Sequence, residues 1–401
     1  MQTDPHPPLT GIRVLDSSRV LAGPFCGQIL GDLGAEVIKV ERPGGGDETR
    51  TWGPPFVGPL SAYYLSCNRN KQAIALDLGK EEGLELFQGI VRRSDVLLEN
   101  FRPDSSDRLG LSPAKLLAIN PRLIVCSISG FGRTGPFSDL PGYDFAVQAL
   151  SGLMSVTGPV EGPPYKVGVA VTDVTTGLYA AIAVLACLHA RKQSGHGYAI
   201  DLALLDCAVS IQVNLAQAYL ASGCVPARQG NAHFQIVPYQ LFATADSWLV
   251  LAVGNDGQWQ RFCNAANHPE LIGDPRFLTN EQRVQHRAVL VPILETILKQ
   301  SSTQTWQDRL RAVGVPHAPV WDYAALFAHP QAVERGLRVT VRDPQGRPVD
   351  LVGTPFHITG ATLGPPACPP PLGQHTDAVL GDILGLKPDR LAELRARHVI
   401  E

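Results

Sequence analysis

The sequence holds no CxxC pair and no metal-ligand spacing; its eight cysteines, at 26, 67, 126, 187, 207, 224, 263 and 368, are scattered, several of them in apolar runs. That pattern excludes a zinc module and a disulfide framework, implies no metal, and fits reduced thiols in a cytoplasmic protein. Blocks of like charge are missing and the formal net charge is only −3. Neither nucleic acid nor an anionic membrane is therefore an expected partner, which leaves small molecules. The opening MQTDPHPPLTG carries an acid and prolines without an apolar core, so it does not read as a signal peptide. The longest apolar stretch, around Leu178 to Leu188, reads as too short to span a bilayer. Internal repeats are absent too. The turn after the first strand, SSRVLAGPFCG, lacks the GxGxxG fingerprint, so a dinucleotide cofactor is not expected.

What is present is an ordinary globular composition, 44% hydrophobic and 18% charged, over 401 residues. That length exceeds one hydrophobic core, so two domains are expected. The N-terminal third alternates strand and helix patterns. GIRVLD (from Gly11) reads as a strand, FCGQILGDL as a helix ended by Gly34, and AEVIKVE as the next strand, which makes a βαβ unit. The alternation continues through helix KEEGLELFQGIVRRS, strand DVLLEN, a helix beginning near Ser105 or Ser112, and strand RLIVCSISGFG. Parallel strands need such crossovers, so a doubly wound, Rossmann-like α/β domain is expected. Helical patterns DFAVQALSGLM and TTGLYAAIAVLACLHARKQ and strand GYAIDLALLD follow; a smaller α/β domain starts near Val237, and the Pro/Gly-rich 360–373 reads as an extended linker. The first strand-to-helix crevice, with backbone N–H groups and Arg42 nearby, suits a phosphorylated ligand such as CoA.

Asp173 is the sole charged residue between Lys166 and Arg191, with small residues that read as a strand before it and an apolar helical run after it. An unpaired ionised group is costly to bury, so such a carboxylate caps the helix, does chemistry, or both.

Five segments in order carry more: DSSRVLAGPFCGQILGDLGAEVIKVERPGGGDETR, NRNKQAIALDL (from Asn68), ENFRPDSSDRLGL (from Glu99), GYDFAVQALSGLMSVTG (from Gly142) and VGVAVTDVTTGLYAA (from Val167). Together with LGQHTDAVL (from Leu372) they resemble the family III CoA-transferases, enzymes homologous to α-methylacyl-CoA racemase. The resemblance implies a large Rossmann-like domain built from both chain ends, a smaller α/β domain, and two chains interlocked as a homodimer. The corresponding boundaries are 1–210 for the N-terminal part of the large domain, 211–236 for a linker, 237–330 for the small domain, and 331–401 for the return segment.

The same resemblance assigns roles. Asp173 matches the nucleophile, whose carboxylate attacks an acyl-CoA thioester to give a mixed anhydride and CoA thiolate; the thiolate returns to form an aspartyl-CoA thioester, and the acceptor acid reverses the steps. A carboxylate with an ordinary pKa of about 3.9 is ionised at neutral pH and needs no general base. Val20, Leu21, Ala22, Arg42, Leu76, Asn100, Phe101, Arg108 and Tyr143 fall in segments that contact CoA, which is a substrate rather than a prosthetic group. Tyr143 stands where racemases carry a catalytic His, so a racemase reading loses one base of its proton exchange. A non-catalytic nucleotide-binding protein is the remaining alternative. The family's glycine-rich loop aligns with RQGNAHFQIVPYQ, where Gly230 alone of its glycines remains, beside Asn231 and His233; His233 is a substrate contact or a plain loop histidine. Asp256, where racemases place a Glu, reads as an exposed turn acid. NRNKQAIALDL and GNDGQWQRFC look closest to the branch that uses succinyl-CoA with dicarboxylic acceptors, and Arg50, Arg69 and Arg102 are the candidate clamps for a free carboxylate.

Overall fold

Residues 6–401 are described by a computed structural model. Six strands, Arg13–Asp16, Glu36–Glu41, Lys71–Ala75, Val96–Glu99, Ile124–Ser129 and Tyr198–Ala203, form one sheet whose pairings are all parallel. Counted along the chain, they lie in the order 3-2-1-4-5-6. Most of them are apolar along their length because helices cover both faces. Val14, Val96, Leu98 and Ile124 face a core shared with helices Ala22–Asp32 and Val171–Ser194. Leu15, Ile38, Leu97 and Val125 face a second core, filled by Phe87 and Ile90 of helix Glu81–Val91 and by Leu380 and Leu394 of helices Thr376–Leu384 and Pro388–Ala396. The strand order reverses between Arg13–Asp16 and Val96–Glu99, and a doubly wound sheet opens a ligand crevice beyond the carboxyl ends of its strands at that point.

The chain divides into two compact units. The larger comprises, within the described residues, 6–153, Val167–Gly223 and Gln331–Glu401; the smaller comprises Met154–Lys166 and Cys224–Pro330. The smaller unit is built on an antiparallel sheet of Tyr239–Ala243, Trp248–Ala252 and His317–Pro319, with Trp259, Phe262, Phe277, Leu294 and Trp306 in its core.

Several local expectations are corrected. The stretch 211–236 is not all linker, because VNLAQAYLAS has no helix breaker and folds as helix Val213–Ser222, ended by Gly223 at φ +71°. No strand precedes Asp173; residues 167–170 are irregular and Ala170 is the N-cap of helix Val171–Ser194. That helix has 24 residues and is long and apolar enough to cross a membrane, more than the run Leu178–Leu188 implied. Its Ala180, Ala181, Val184 and Leu188 are nevertheless core residues packed with helix Ala22–Asp32. The two helices meet closely at Gly177, where an added Cβ would stand 2.7 Å from the Ala22 carbonyl oxygen. The 360–373 stretch is irregular but tied down: Asn70 accepts from the Ala367 N–H at 2.6 Å.

Candidate active site

Asp173 is the third residue of helix Val171–Ser194, and its carboxylate accepts no hydrogen bond among the described residues. The capping role belongs to another acid. Asp144, first residue of helix Asp144–Leu150, accepts from the Thr172 N–H at 2.9 Å and the Thr172 hydroxyl at 2.8 Å, and its other oxygen accepts from Gln148 at 2.7 Å. Burial, reinforced by the charge of Asp144, pushes the Asp173 carboxyl up to about 7. This corrects the expectation of an ordinary, fully ionised carboxylate at neutral pH: a poorly solvated group beside a like charge holds its proton longer, and its conjugate base is correspondingly a stronger nucleophile. Tyr63, inside the same electrostatic environment, has its phenol raised by burial and then by Asp173.

Asp173 lines a cavity of about 210 Å³ together with Arg19, Val20, Ala22, Asn100, Phe101, Arg102 and Tyr143. A second cavity, of about 900 Å³, is lined by Ser17, Arg19, Arg42, Gly44, Gly45, Gly46, Leu76, Asp77, Phe101 and Arg108. Arg19, Glu48 and Phe101 line both. The two therefore adjoin along the loops that follow strands Arg13–Asp16 and Val96–Glu99, at the reversal of strand order. Arg42 and Arg108 make no ion pair among the described residues, so two unneutralised guanidiniums border the larger cavity beside the glycine turn. Gly46 sits at φ +68°, and a Cβ there would meet Glu41 and Arg50 side-chain atoms within 2.9 Å. Only glycine keeps that turn closed over its supports.

The other sequence candidates distribute unevenly. Leu21 lines neither cavity; it is the N-cap residue of helix Ala22–Asp32 and accepts from the Phe25 N–H at 2.8 Å. Tyr143 is 61% exposed at the N-cap of helix Asp144–Leu150. Of the three clamp arginines, Arg50 is taken by Glu41 through contacts of 2.8 and 2.6 Å and lies 3.8 Å over the Tyr64 ring. Arg69 is taken by Asp32 at 2.8 and 2.5 Å and donates to the Val352 carbonyl. Arg102 alone of the three enters the cavity with Asp173, its nearest acid being the exposed Asp104 at 3.9 Å. Gly230, Asn231 and His233 belong to the smaller unit. There the His233 ring nitrogen accepts from the Gln235 N–H at 3.0 Å, and its carbonyl accepts from Arg287 at 2.5 Å. Asp256 is exposed as expected, but it opens helix Asp256–Ala265 rather than lying in a turn, and it pairs at 2.8 Å with the fully buried guanidinium of Arg283.

Sequence reasoning missed Arg19, Tyr63, Asp144, Lys39 and Asp47. Asp144 carried a signal, an acid next to Tyr143 at a helix start. Lys39 carried a stronger one, since a lysine inside the apolar strand EVIKVE, covered on both faces, must be paired to be buried. Among the described residues, no group of three or more His, Cys, Asp or Glu side chains could hold a metal ion.

Residues 9–376 match CoA-transferase family III. The chain belongs to that family. It is 44% identical to the succinate–glutarate CoA-transferase of Agrobacterium fabrum, over 94% of this chain and 96% of that one. The succinyl-CoA:glutarate CoA-transferase of Homo sapiens is 41% identical, over 98% of this chain and 90% of that one. A crystal structure of a CaiB/BaiF family protein from Brucella suis is 44% identical, superposes with a TM-score of 0.84, and covers 94% of this chain and 100% of that one. This member of the family is a CoA-transferase, with the mixed α/β architecture and parallel central sheet expected of it.

Proposed function

We propose that this CoA-transferase moves CoA from succinyl-CoA to a dicarboxylic acid, glutarate being the first acceptor to test, through an anhydride and then a thioester on Asp173. The observation that carries the reading is the joining of two things: near-full-length likeness to relatives named for succinyl-CoA and glutarate, and an unbonded, half-buried carboxylate in a cavity that adjoins a larger, arginine-bordered one. The larger cavity has the room and the cations for the nucleotide end of CoA, and the smaller has the nucleophile. Asp173 sits in the first turn of a 24-residue helix, where the helix dipole favours developing negative charge. Tyr143 in place of a base argues against racemisation. Arg102 is the proposed partner for the free carboxylate of the donor. The deciding experiment is exchange between succinyl-CoA and a panel of mono- and dicarboxylic acids, with mass spectrometry of the protein after succinyl-CoA alone. A CoA adduct on Asp173 and fastest exchange with dicarboxylates are expected; no adduct and no exchange sink the assignment. Losing a charged clamp contact costs on the order of 2–4 kcal/mol, so kcat/KM for succinyl-CoA should exceed that for butyryl-CoA by roughly 30-fold to 800-fold, and Arg102→Ala should erase most of that preference.

The enzyme is proposed to act as a homodimer. In the larger unit, the mutually packed helices Asp144–Leu150, Val171–Ser194, Leu204–Ser210 and Val213–Ser222 leave Phe145, Leu150, Ile182, Val213 and Leu220 exposed, an apolar face of the kind that a second copy covers.

A further inference from the structure

The turn that walls the Asp173 cavity is strained and clamped. Val20 is β-branched, yet its φ is +69°, a conformation that branched L residues rarely adopt. Around it, backbone groups are held from separate elements. The Ser18 N–H donates to Asp16 at 3.1 Å. Asn100 brackets Arg19, accepting from its N–H at 3.0 Å and donating to its carbonyl at 2.9 Å. Flanking Arg19 stand two charges: the Lys39 ammonium donates to the Ser18 carbonyl at 3.0 Å, and the Asp47 carboxylate accepts from the Val20 N–H at 3.3 Å. Lys39 and Asp47 are joined to each other at 2.9 Å with both side chains wholly buried.

A buried ion pair is a weak device for stability alone, because desolvating two charges offsets their attraction and an apolar pair of similar volume often serves as well. This pair spends a further hydrogen bond from each partner on the same turn, on either side of one residue. Burial pulls Lys39 toward neutrality, but Asp47, Asp16 and Glu41 outweigh it and keep the ammonium charged. The turn also lies where the cavities meet: Ser17 and Arg19 line the larger, and Arg19 and Val20 line the smaller with Asp173. Lys39 lines neither, while its partner Asp47 also borders the larger.

We propose that the Lys39–Asp47 pair is a positioning device that locks the Ser18–Val20 turn into the shape on which the acyl-CoA donor lies, so that the thioester meets Asp173 at a productive angle. This rests on the donor occupying both cavities. Lys39→Met keeps the volume without the charge, and Asp47→Asn keeps the shape while weakening the pair. Both are expected to retain wild-type circular dichroism, to exchange the amide hydrogens of residues 17–22 faster, and to lose at least about tenfold in kcat/KM for succinyl-CoA, with KM raised. Adding Val20→Gly to Asp47→Asn is expected to restore much of that loss, because glycine holds a positive φ without strain; a pair that served only global stability leaves kcat/KM of the folded variant unchanged, with nothing for the glycine to restore. Faster exchange in the turn with unchanged kcat and KM overturns the proposal, as does failure of Val20→Gly to rescue. If Lys39→Met does not fold, Asp47→Asn decides alone. The placement of the donor is tested separately in the wild type: absence of hydrogen-exchange protection at residues 17–22 on adding CoA removes that placement and the inference with it.

Discussion

The carboxylate proposed to attack the thioester gains from being poorly solvated: burial, and after it the charge of Asp144, raise the proton affinity of Asp173. Between the ordinary Asp value of 3.8 and about 7 the folded protein binds a proton there that the unfolded chain has released, so this group subtracts stability as pH rises through that window. Asp173→Asn is therefore expected to abolish exchange while raising stability at pH 8 by about 2 kcal/mol, discounted for partial exposure from the full shift. Urea denaturation of both proteins at pH 5 and pH 8 measures it; a gain equal at both pH values contradicts the account. Activity should show the same group. In the free enzyme kcat/KM is expected to fall about tenfold per unit below about pH 7. Asp144→Asn removes the neighbouring charge and should move that midpoint down, toward the ordinary carboxylate range, while still accepting from Thr172. An unmoved pH profile in Asp144→Asn would mean that burial alone sets the Asp173 value.

Elements bring these residues together, and their contacts were only partly legible beforehand. The strand and helix patterns of the first 130 residues are readable because their apolar periods are long and their ends carry glycine or proline. The role of Asp144 was not readable, because a cap donated from one helix to the N-terminus of another, 28 positions on, depends on where the two helices meet. Arg50 and Arg69 look free in sequence, yet Glu41 and Asp32, 9 and 37 positions away, take them. The meeting of helices Ala22–Asp32 and Val171–Ser194 is equally specific. Gly177→Ala drives a methyl toward the Ala22 carbonyl and is expected to cost about 1–3 kcal/mol, read by thermal or urea denaturation, and to lower activity by shifting both Ala22 and the turn that bears Asp173. A variant as stable as wild type would show that the helices separate without penalty.

At the scale of the molecule, the proposed homodimer would cover the exposed apolar side chains on helices Asp144–Leu150 to Val213–Ser222. Sedimentation at nanomolar concentration is expected to show dimer with no folded monomer, and stability should be inseparable from the dimer. Ile182→Asp is expected to leave little folded protein, whereas a folded, active monomer would remove the homodimer from the proposal.

The sequence by itself determined the alternating α/β class, the family, and the singular position of Asp173, because each is written in local pattern: strand and helix periods, contiguous motifs, and one charge in an apolar run. Tertiary structure alone decided which groups surround that charge. Burial and the approach of Asp144 set the Asp173 proton affinity, and the reversal of strand order places Asn100 against Arg19 and opens the crevice there. Those are distances across a fold, and the energies of charges and hydrogen bonds depend on distance and solvent exclusion, neither of which a linear pattern of residues contains.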